Sequence, residues 1–383
     1  MFVSLVGTWI QSVAQSWLVF DLTHSAFLLG LVGFLGAIPV FALSLFAGVF
    51  ADRINKKTIL LFTQNAFMLL AFILAALSQY KLISPNQIML IAVLNGVVMA
   101  FDAPARQALV VELVGKDNLL NAIALNSAAF NSARVIGPAL AGILISVIGM
   151  SGCFYINGIS FMAVIVALLV IKMEPPRLKP GDKKEVLKDL LEGLFFLKNN
   201  RLILILVIIV GITSLFGISY VILMPVFAQE ILHLGAKGLG MLMSAAGVGA
   251  LLAALFLASL GDFKFKGKLL FASSLMFSLS LVVFSLSRSY IFSLVTLLFV
   301  GFSSVASVSL INTLLQTYVP DEFRGRIMSV FMFTFAGILP FGNLLSGALA
   351  HIWGVAQAIA TGGVICGIAF VIINMRYPEI RKI

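Results

Sequence analysis

The sequence predicts an all-α membrane protein with twelve transmembrane helices in two six-helix bundles. Of the 383 residues, 61% are hydrophobic and only 10% are charged, and the mean hydropathy is +1.13. Soluble domains have a smaller apolar share and more charge. Apolar runs of about 18 to 25 residues, each long enough to cross the hydrocarbon core as a helix, recur along the chain. The basic residues are concentrated in alternate gaps between these runs, which indicates repeated membrane crossings.

The apolar runs form two sets of six spans with a linker between them. The first set lies near residues 2–20, 26–50, 58–79, 87–104, 121–146 and 152–172, and the second near residues 202–227, 238–260, 268–286, 290–313, 326–350 and 355–375. We therefore predict an N-terminal bundle over residues 1–172, a cytoplasmic linker over 173–201 and a C-terminal bundle over 202–383. The linker contains three prolines and the run K-K-E-V-L-K-D-L-L-E, which predicts a short amphipathic helix.

The two sets of spans also repeat each other. Pairs of residues match at spacings of 205 or 210, namely Gly137 with Gly342, Gly142 with Gly347, and Asp52 with Asp262. Parallel six-span repeats are a common way to build a transporter, with the substrate site between the halves near the midplane of the membrane. The spacing therefore favours a transporter made of two related bundles.

The basic residues orient the chain. Of the 25 Lys and Arg residues, 21 lie in the gaps after the second, fourth, sixth, eighth and tenth spans or at the C-terminus. Because Lys and Arg stay on the cytoplasmic side, we predict that both termini and the linker are cytoplasmic, in a bacterial inner membrane. Nucleic acid is not an expected partner despite the net charge of +10, because the bases lie in short gaps between spans.

The loop between the second and third spans carries an acid and three bases. It is the ten-residue stretch G-V-F-A-D-R-I-N-K-K that starts at Gly48. Gly48 permits two helices to approach closely, and Asp52 suits the partially positive N-terminus of another helix. We expect that helix to be the eleventh span, with Asp52 near Arg326. Arg53 and Lys56 hold the loop on the cytoplasmic side. An ordinary basic turn is the alternative interpretation.

This loop resembles the one between the second and third spans of the major facilitator superfamily, usually G-x-x-x-D-R-x-G-R-[RK]. Asn55 stands in place of the turn glycine, and because Asn tolerates the left-handed conformation, we expect the turn to be retained. The resemblance implies that Gly48, Asp52, Arg53 and Lys56 belong to a conformational switch.

Polar side chains form one face of the first span and one face of the fifth. Polar groups within a span are costly, so they usually face a cavity or a partner helix. Thr8, Gln11 and Gln15 follow helical spacing in the first span, and Ser127, Asn131 and Arg134 follow it in the fifth. The predicted substrate-binding residues are Trp9, Gln11, Gln15, Asn126, Asn131 and Arg134. The alternative is that these groups bond helices to one another.

Arg134 is the basic residue inside a span. By helix rise it lies about 18 Å from the cytoplasmic start of its span, at the level of Gln15. We expect Arg134 to bond to Gln11 or Gln15 when the protein is empty and to favour anionic groups on the cargo.

Asp102 is the acid that lies clearly inside an apolar run. It shares a face of the fourth span with Arg106. Asp102 can pair with Arg106 or reach Lys56, which would make it a structural latch, or it can bind a coupling proton. We favour the latch because Asp102 lies only about 8 Å from the cytoplasmic boundary by helix rise.

Longer stretches are similar to one branch of the superfamily, the enterobactin exporters and macrolide efflux proteins. They are G-T-W-I-Q-S-V-A-Q-S-W-L-V-F-D-L-T-H-S in the first span, F-D-A-P-A-R-Q-A-L-V-V-E-L-V in the fourth, and P-D-E-F-R-G-R-I-M-S before the eleventh. The run A-R-V-I-G-P-A-L-A-G in the fifth span also resembles the G-P-x-x-G-G signature of proton-driven exporters. Gly137 permits tight packing there and Pro138 bends the helix. A generic Gly/Pro kink is the alternative.

The resemblance implies a secondary active transporter that exports an amphiphilic small molecule, such as a siderophore or a drug, by alternating access and in exchange for protons. A proton-coupled importer is the alternative in the same class, and a membrane sensor or an intramembrane enzyme is the alternative from another class. We expect no enzymatic activity and no cofactor or metal, because the two cysteines and three histidines lack ligand spacing. The expected partners are the cargo, protons and membrane lipid, and we expect a monomer.

The predicted topology can be tested by cysteine labelling in cells. In a background with Cys153 and Cys366 replaced by serine, Lys237→Cys should react with a membrane-impermeant maleimide added outside, because it lies in an external gap. Lys184→Cys should react only after the membrane is permeabilised. Lys81→Cys, in another predicted external gap, serves as the matched control for Lys237→Cys, and labelling of position 184 from outside would contradict the topology.

Overall fold

Helices make up the whole of the regular structure in the computed structural model, which describes residues 1–115, 118–171, 186–261 and 263–382. Within these ranges the side chains of residues 44–46, 48–53, 119–120, 186–191, 194 and 382 are not described. No strand occurs in the described ranges. This is the expected outcome for chain segments in lipid, since a helix satisfies its own backbone hydrogen bonds.

Six spans form the first part of the chain. The helices are α1 (Phe2–Thr23), α2 (Ala26–Arg53), α3 (Lys56–Gln79), α4 (Pro85–Val114) and a long helical stretch, Leu119–Val170. Gly149 interrupts that stretch with a φ of 73° and a ψ of 177°, so it consists of two spans, α5 before Gly149 and α6 after it. At the start of α4, Ser84 and Gln87 form a reciprocal capping box and Pro85 occupies the first turn, as helix N-termini favour.

The second part begins with a short helix, α7 (Val186–Asn199), which lies in the predicted linker. The helix α8 (Arg201–Ile231) follows, and then α9 (Gly235–Leu260), α10 (Lys266–Ser285), α11 (Tyr290–Tyr318), α12 (Asp321–Trp353), α13 (Val355–Arg376) and a 3-10 turn, Pro378–Lys382. The amphipathic linker helix is thus confirmed over α7, while residues 172–185 lie outside the described part of the chain.

Among the described residues, ten helices are long and apolar enough to span a membrane. The stretch Leu119–Val170 is counted once although Gly149 divides it. The helix α1 is not among the ten, because its polar residues lower its mean hydropathy. With these two helices included, the described elements agree with the predicted all-α fold of twelve spans.

The helix α8 is irregular in its middle. It contains π-helical turns at Thr213–Gly217 and Phe227–Ile231 with a 3-10 segment between them. Irregular backbone at membrane depth is tolerated where protein surrounds it. Ser214 and Ser219 are fully buried there, and the Ser219 hydroxyl donates a hydrogen bond of 3.1 Å to the Ser214 carbonyl. The Ser219 side chain therefore supplies a hydrogen bond to a backbone carbonyl at the π-helical turn, where the regular α-helical hydrogen-bond pattern is interrupted.

The chain divides into two compact units. The first contains Met1–His24, Leu31–Lys183 and Leu234–Ser244, and the second contains Ser25–Gly30, Lys184–His233 and Ala245–Ile383. A buried cluster in the first unit includes Leu60 of α3, Leu109 of α4 and Leu168 of α6. A larger cluster in the second unit joins α8 to α13, with Leu206 and Leu314 fully buried. The bundle boundaries at residues 172 and 202 stay a prediction.

Glycines mark the closest helix crossings of the first unit. A Cβ atom at Gly137 in α5 would collide with the Trp9 side chain of α1. Five residues later, a Cβ atom at Gly142 would lie 3.0 Å from the backbone of Ala236 and Lys237 at the start of α9. Both crossings therefore depend on the missing side chain.

The second unit repeats these two crossings. A Cβ atom at Gly342 in α12 would collide with the Ser219 hydroxyl of α8. At Gly347 it would lie 2.8 Å from the Ala26 carbonyl and 2.9 Å from Gly30 Cα, at the start of α2. The two glycines stand 205 residues after Gly137 and Gly142. Their partners at the helix starts, Ala26 with Ala236 and Gly30 with Gly240, stand 210 residues apart, as Asp52 and Asp262 do. This geometry supports the predicted internal repeat.

Two glycines of α12 give a matched test of these crossings. Gly347→Ala should lower the free energy of unfolding by about 1 to 3 kcal/mol, because the added methyl group overpacks a backbone contact. Gly325→Ala is the control, since a Cβ atom there meets nothing within 4 Å, and it should be neutral or slightly stabilising. Thermal unfolding of the purified protein in detergent measures both, and equal melting temperatures would show that the crossing tolerates a side chain.

Candidate functional site

The polar face of α1 is held by side chains from α5 and α6. The side-chain oxygen Oε1 of Gln11 accepts a hydrogen bond of 2.7 Å from the side-chain Nδ2 of Asn157 in α6. Trp9 packs edge-on against Phe130 of α5, with ring centroids 6.2 Å apart. Gln11 and Gln15 are both half-buried. Part of the polar face of α1 thus forms hydrogen bonds between helices, as the alternative interpretation expected. The side-chain Nε2 of Gln11 has no hydrogen-bond partner among the described residues.

Asn157 is a residue of this site that the sequence analysis missed. Asn157 is 2% exposed, and the Ser160 hydroxyl donates hydrogen bonds to its side-chain Oδ1 at 3.1 Å and to its backbone carbonyl at 2.7 Å. Gly7 of α1 makes room for the pair, since a Cβ atom there would lie 2.6 Å from both Asn157 Oδ1 and Ser160 Oγ. A polar pair at helical spacing in the sixth span, opposite a glycine of the first, is the sequence signal that could have identified it.

The predicted site residues of α5 lie on the half of the helix before Pro138. Asn126 is exposed and Arg134 is half-buried. The Asn131 side-chain Nδ2 donates a hydrogen bond of 2.8 Å to the Ser127 backbone carbonyl. Pro138 lies inside the helix, next to the crossing at Gly137, so the bend and the tight contact occur together. A hydrogen bond from Arg134 to Gln11 or Gln15 stays a prediction.

A second polar cluster surrounds Asp102, which is 1% exposed in α4. One carboxylate oxygen accepts hydrogen bonds from Thr63 Oγ1 at 2.8 Å and from Gln64 Nε2 at 2.7 Å, both on α3. The other oxygen accepts from Arg106, with Nε at 3.0 Å and Nη2 also in contact. A buried charge is tolerated when it is paired and fully hydrogen-bonded, and this carboxylate meets both conditions.

The predicted pairing of Asp102 with Arg106 is confirmed, whereas the alternative pairing with Lys56 is wrong. Lys56 Nζ instead lies 2.7 Å from a carboxylate oxygen of Glu112, nearly three turns further along α4. Lys56 starts α3, so its ammonium reaches the end of α4 more readily than a group inside the bundle. The side-chain oxygen Oε1 of Gln64 is buried and has no hydrogen-bond partner among the described residues.

The loop between α2 and α3 differs in one respect from the expected turn. Asn55 has a φ of −58° and a ψ of 118°, and its side chain accepts a hydrogen bond of 2.9 Å from the Lys57 backbone amide. The expected left-handed conformation is therefore wrong at Asn55, which is the N-cap of α3. Lys57 Nζ donates a hydrogen bond of 2.7 Å to the Ile171 carbonyl after α6.

The other predicted switch residues are only partly described. The backbone of α2 is helical through Arg53, but the side chains of Asp52 and Arg53 and the surroundings of Gly48 are not described. The expected contact between Asp52 and Arg326 therefore lies outside them too. A described partner of Arg326 is Glu192 of the linker helix α7, at 2.9 Å.

Stacked aromatic rings strengthen the contact between the linker helix and α12. The rings of Phe196 and Phe323 stack with centroids 4.4 Å apart. The Arg326 guanidinium lies 5.5 Å from the Phe323 ring. Gly193 of α7 faces the backbone of Arg326 without a side chain between them. The linker helix is thus docked on the first turns of α12.

Comparison with known proteins gives a family match and full-length relatives. The family described as transmembrane secretion effector matches residues 1–382. The staphyloferrin A transporter of Staphylococcus aureus (strain NCTC 8325 / PS 47) is 26% identical over 385 residues, which cover 100% of this chain and 94% of that protein. The enterobactin exporter EntS of Shigella boydii serotype 4 (strain Sb227) is 27% identical over 388 residues, with 100% and 91% covered.

Solved structures with the same fold are transporters of low sequence identity. A transporter of the POT family in complex with 5-aminolevulinic acid superposes with a TM-score of 0.76 at 14% identity, and the match covers 100% of this chain and 96% of that one. A bacterial homologue of the human lysosomal transporter Spinster, in an inward-facing and unoccupied conformation, superposes with a TM-score of 0.73 at 15% identity, covering 99% and 96%. At these identities the likeness concerns the fold alone.

The Asp102 cluster can be tested by unfolding in mixed micelles. Asp102→Asn should lower the free energy of unfolding by about 3 kcal/mol or more, because it leaves the Arg106 guanidinium without its buried counter-ion. Glu112→Gln is the matched control in the same helix. It breaks a pair whose acid is 39% exposed, so it should cost less than about 1 kcal/mol.

A double variant separates charge pairing from packing in this cluster. Asp102→Asn combined with Arg106→Gln removes both charges and should recover part of the lost stability. If the double variant is no more stable than Asp102→Asn, the ion pair does not account for the effect.

Proposed function

Because the chain belongs to the transmembrane secretion effector family of major facilitator transporters, we propose that it exports an amphiphilic siderophore or drug by alternating access, in exchange for protons. It is a multi-pass protein of the bacterial inner membrane that transports a small molecule, and it is not an enzyme. The observation that carries the proposal is similarity over the whole chain to an enterobactin exporter and a staphyloferrin A transporter. The family and these names together favour export of a siderophore.

The proposed cargo site lies in the first unit, on the polar faces of α1 and α5. Its composition suits a molecule with an apolar body and several hydrogen-bond acceptors. Trp9 offers an aromatic surface. The side-chain nitrogen of Gln11 offers hydrogen-bond donors, while the side-chain oxygen of Gln11 accepts a hydrogen bond from Asn157. Arg134 supplies a planar fork of donors for an anionic group. Gln15, Asn126 and Asn131 complete the proposed lining. An arginine within a span is costly, and a functional role accounts for it.

The proposed switch consists of groups near the ends of α2, α3, α4 and α12, together with Gly137 and Pro138 at the bend of α5. Asp102, which pairs with Arg106 on α4 and accepts hydrogen bonds from Thr63 and Gln64 on α3, is the proposed latch between α3 and α4. The tight bonding of its carboxylate favours this role over proton binding. Gly48, Asp52, Arg53 and Lys56 are proposed to change partners during transport, with Arg326 at the start of α12. Both termini are proposed to be cytoplasmic. The protein is proposed to work as a monomer with lipid around it and protons as the coupling ion.

The role of Arg134 can be tested by transport in everted membrane vesicles. With protonmotive force applied, vesicles should accumulate an anionic tricatecholate siderophore, and Arg134→Lys should reduce this flux by about tenfold despite keeping the charge, since the planar fork is lost. Arg134→Gln should abolish siderophore flux while it retains part of the flux of a neutral macrolide. Arg288→Gln, an exposed arginine at a different span end, is the control and should transport both normally.

Three results would contradict the proposal in different ways. Equal losses of both cargoes in Arg134→Gln would mark Arg134 as a packing residue. Accumulation in right-side-out vesicles, but not in everted ones, would identify an importer. Flux that persists unchanged when the proton gradient is collapsed would exclude proton antiport.

A further inference from the structure

The linker helix α7 has one face packed on the bundle and one exposed face. Leu197 is 3% exposed and belongs to the buried cluster of the second unit. Gly193 is also buried, against Arg326 and Val330 of α12. Phe195 lies between them in sequence, yet it is 68% exposed. Because it is two residues from each, Phe195 lies on nearly the opposite side of the helix. The exposed face of α7 therefore carries a large aromatic ring.

The packing of Gly193 indicates the depth at which α7 lies. A Cβ atom there would lie 3.3 Å from Val330 and 3.4 Å from Arg326, in the first turns of the predicted eleventh span. The apolar helix α8 gives a second reference, since it begins at Arg201. By helix rise, Phe195 is about 3 Å from Gly193 and at most about 9 Å from Arg201. The headgroup layer is about 5 to 8 Å thick on each side of the membrane. The helix α7 therefore lies at headgroup depth.

The exposed face combines the aromatic ring with positive charge. Lys198 is one helical turn from Phe195 and both are exposed, so their side chains share a face. Arg201 at the start of α8 is exposed as well. Neither base has an acidic partner among the described residues, whereas Glu192 of α7 is already paired with Arg326 at 2.9 Å. The described part of this face is thus apolar and basic.

We propose that the exposed face of α7 lies in the headgroup layer of the leaflet that α8 enters, with an anionic lipid surface as its partner. An aromatic ring beside Lys and Arg is stable in this layer, because the ring leaves water while the bases meet lipid phosphates. Phe195 enters between the headgroups, and Lys198 and Arg201 face phosphates. Lipid is favoured over a soluble protein as the partner because the face lies at headgroup depth and its charge is complementary to anionic lipid.

The two faces of α7 join the lipid surface to α12. The packed face contacts the first turns of α12 through Glu192, Gly193 and Phe196. Membrane contact on the other face therefore helps to keep α7 in this position. The contact extends over a surface and requires no enclosed pocket. It does not depend on which molecule is exported.

Spin-label accessibility in vesicles can test the position of Phe195. The full-length protein, with Cys153 and Cys366 replaced by serine, carries a nitroxide label at Phe195→Cys in phosphatidylethanolamine vesicles that contain phosphatidylglycerol as the minor component. The label should collide more often with oxygen, which partitions into lipid, than with a water-soluble nickel chelate. Leu279→Cys, at a position 62% exposed within α10, is the lipid-facing standard. Asp321→Cys, at a side chain 87% exposed where α12 starts, is the water-facing standard.

A second measurement tests the charges with the same label in place. Lys198→Gln with Arg201→Gln should weaken partition of α7 into the anionic surface roughly 25-fold, at about fivefold for each charge. The nickel collision rate should then rise toward that of the water-facing standard. Replacing phosphatidylglycerol by phosphatidylcholine should raise it in the same direction. Lys268→Gln with Arg376→Gln, which removes two exposed bases at other span ends of the second unit, is the matched control and should leave the rate unchanged.

The accessibility data can overturn the proposal in three ways. A nickel collision rate at position 195 equal to that of the water-facing standard would place this face in water. A label shielded from both reagents would show that protein covers the face, either another segment of this chain or a second copy. An unchanged preference for oxygen in the double glutamine variant and in phosphatidylcholine would exclude an anionic surface as the partner. These readouts do not involve transport, so they are independent of the proposed export.

Discussion

Where α5 passes α1 and the beginning of α9, its backbone lies so close to its neighbours that a Cβ atom at Gly137 or Gly142 would press against them. The helix α12 passes α8 and the beginning of α2 in the same way. In a membrane the hydrophobic effect does not press helices together, so association depends on close van der Waals packing and on hydrogen bonds between helices. Small residues at these crossings therefore decide which helices meet and at what depth.

The polar groups inside the spans follow from the same packing. Gly7 gives Asn157 the space to reach Gln11. Close contact between α3 and α4 gives Asp102 two partners on α3, in addition to Arg106 on its own helix. Each group would be costly in hydrocarbon without a partner. Inside the first unit the bonded groups stabilise the bundle, and the side-chain nitrogen of Gln11 has no hydrogen-bond partner among the described residues. In the proposed cargo site, Gln11 would therefore stabilise the bundle through its oxygen and contact the cargo through its nitrogen.

The second unit uses its surface groups differently. The linker helix α7 contacts the first turns of α12 through an ion pair and stacked rings, and the C-terminal turn packs Ile380 into the bundle while Arg381 covers Phe271. Both segments lie at the ends of spans, where charged and aromatic side chains are stable together because headgroups and water reach them. These contacts attach the linker helix and the C-terminal turn to the helices of the second unit.

The sequence by itself determined the fold class, the span positions and the linker helix, because hydrophobic length is a local property of a chain in lipid. It also indicated the internal repeat, through matching glycines 205 residues apart. It further indicated Arg106, one helical turn away, as one of two possible partners of Asp102, and the structure decided against the other, Lys56. Only the tertiary structure decided that Lys56 pairs with Glu112, that Asn157 holds Gln11, and that Glu192 is a partner of Arg326. These partners lie on different helices, and the rotation and depth of each helix depend on packing against all its neighbours, which no local pattern specifies.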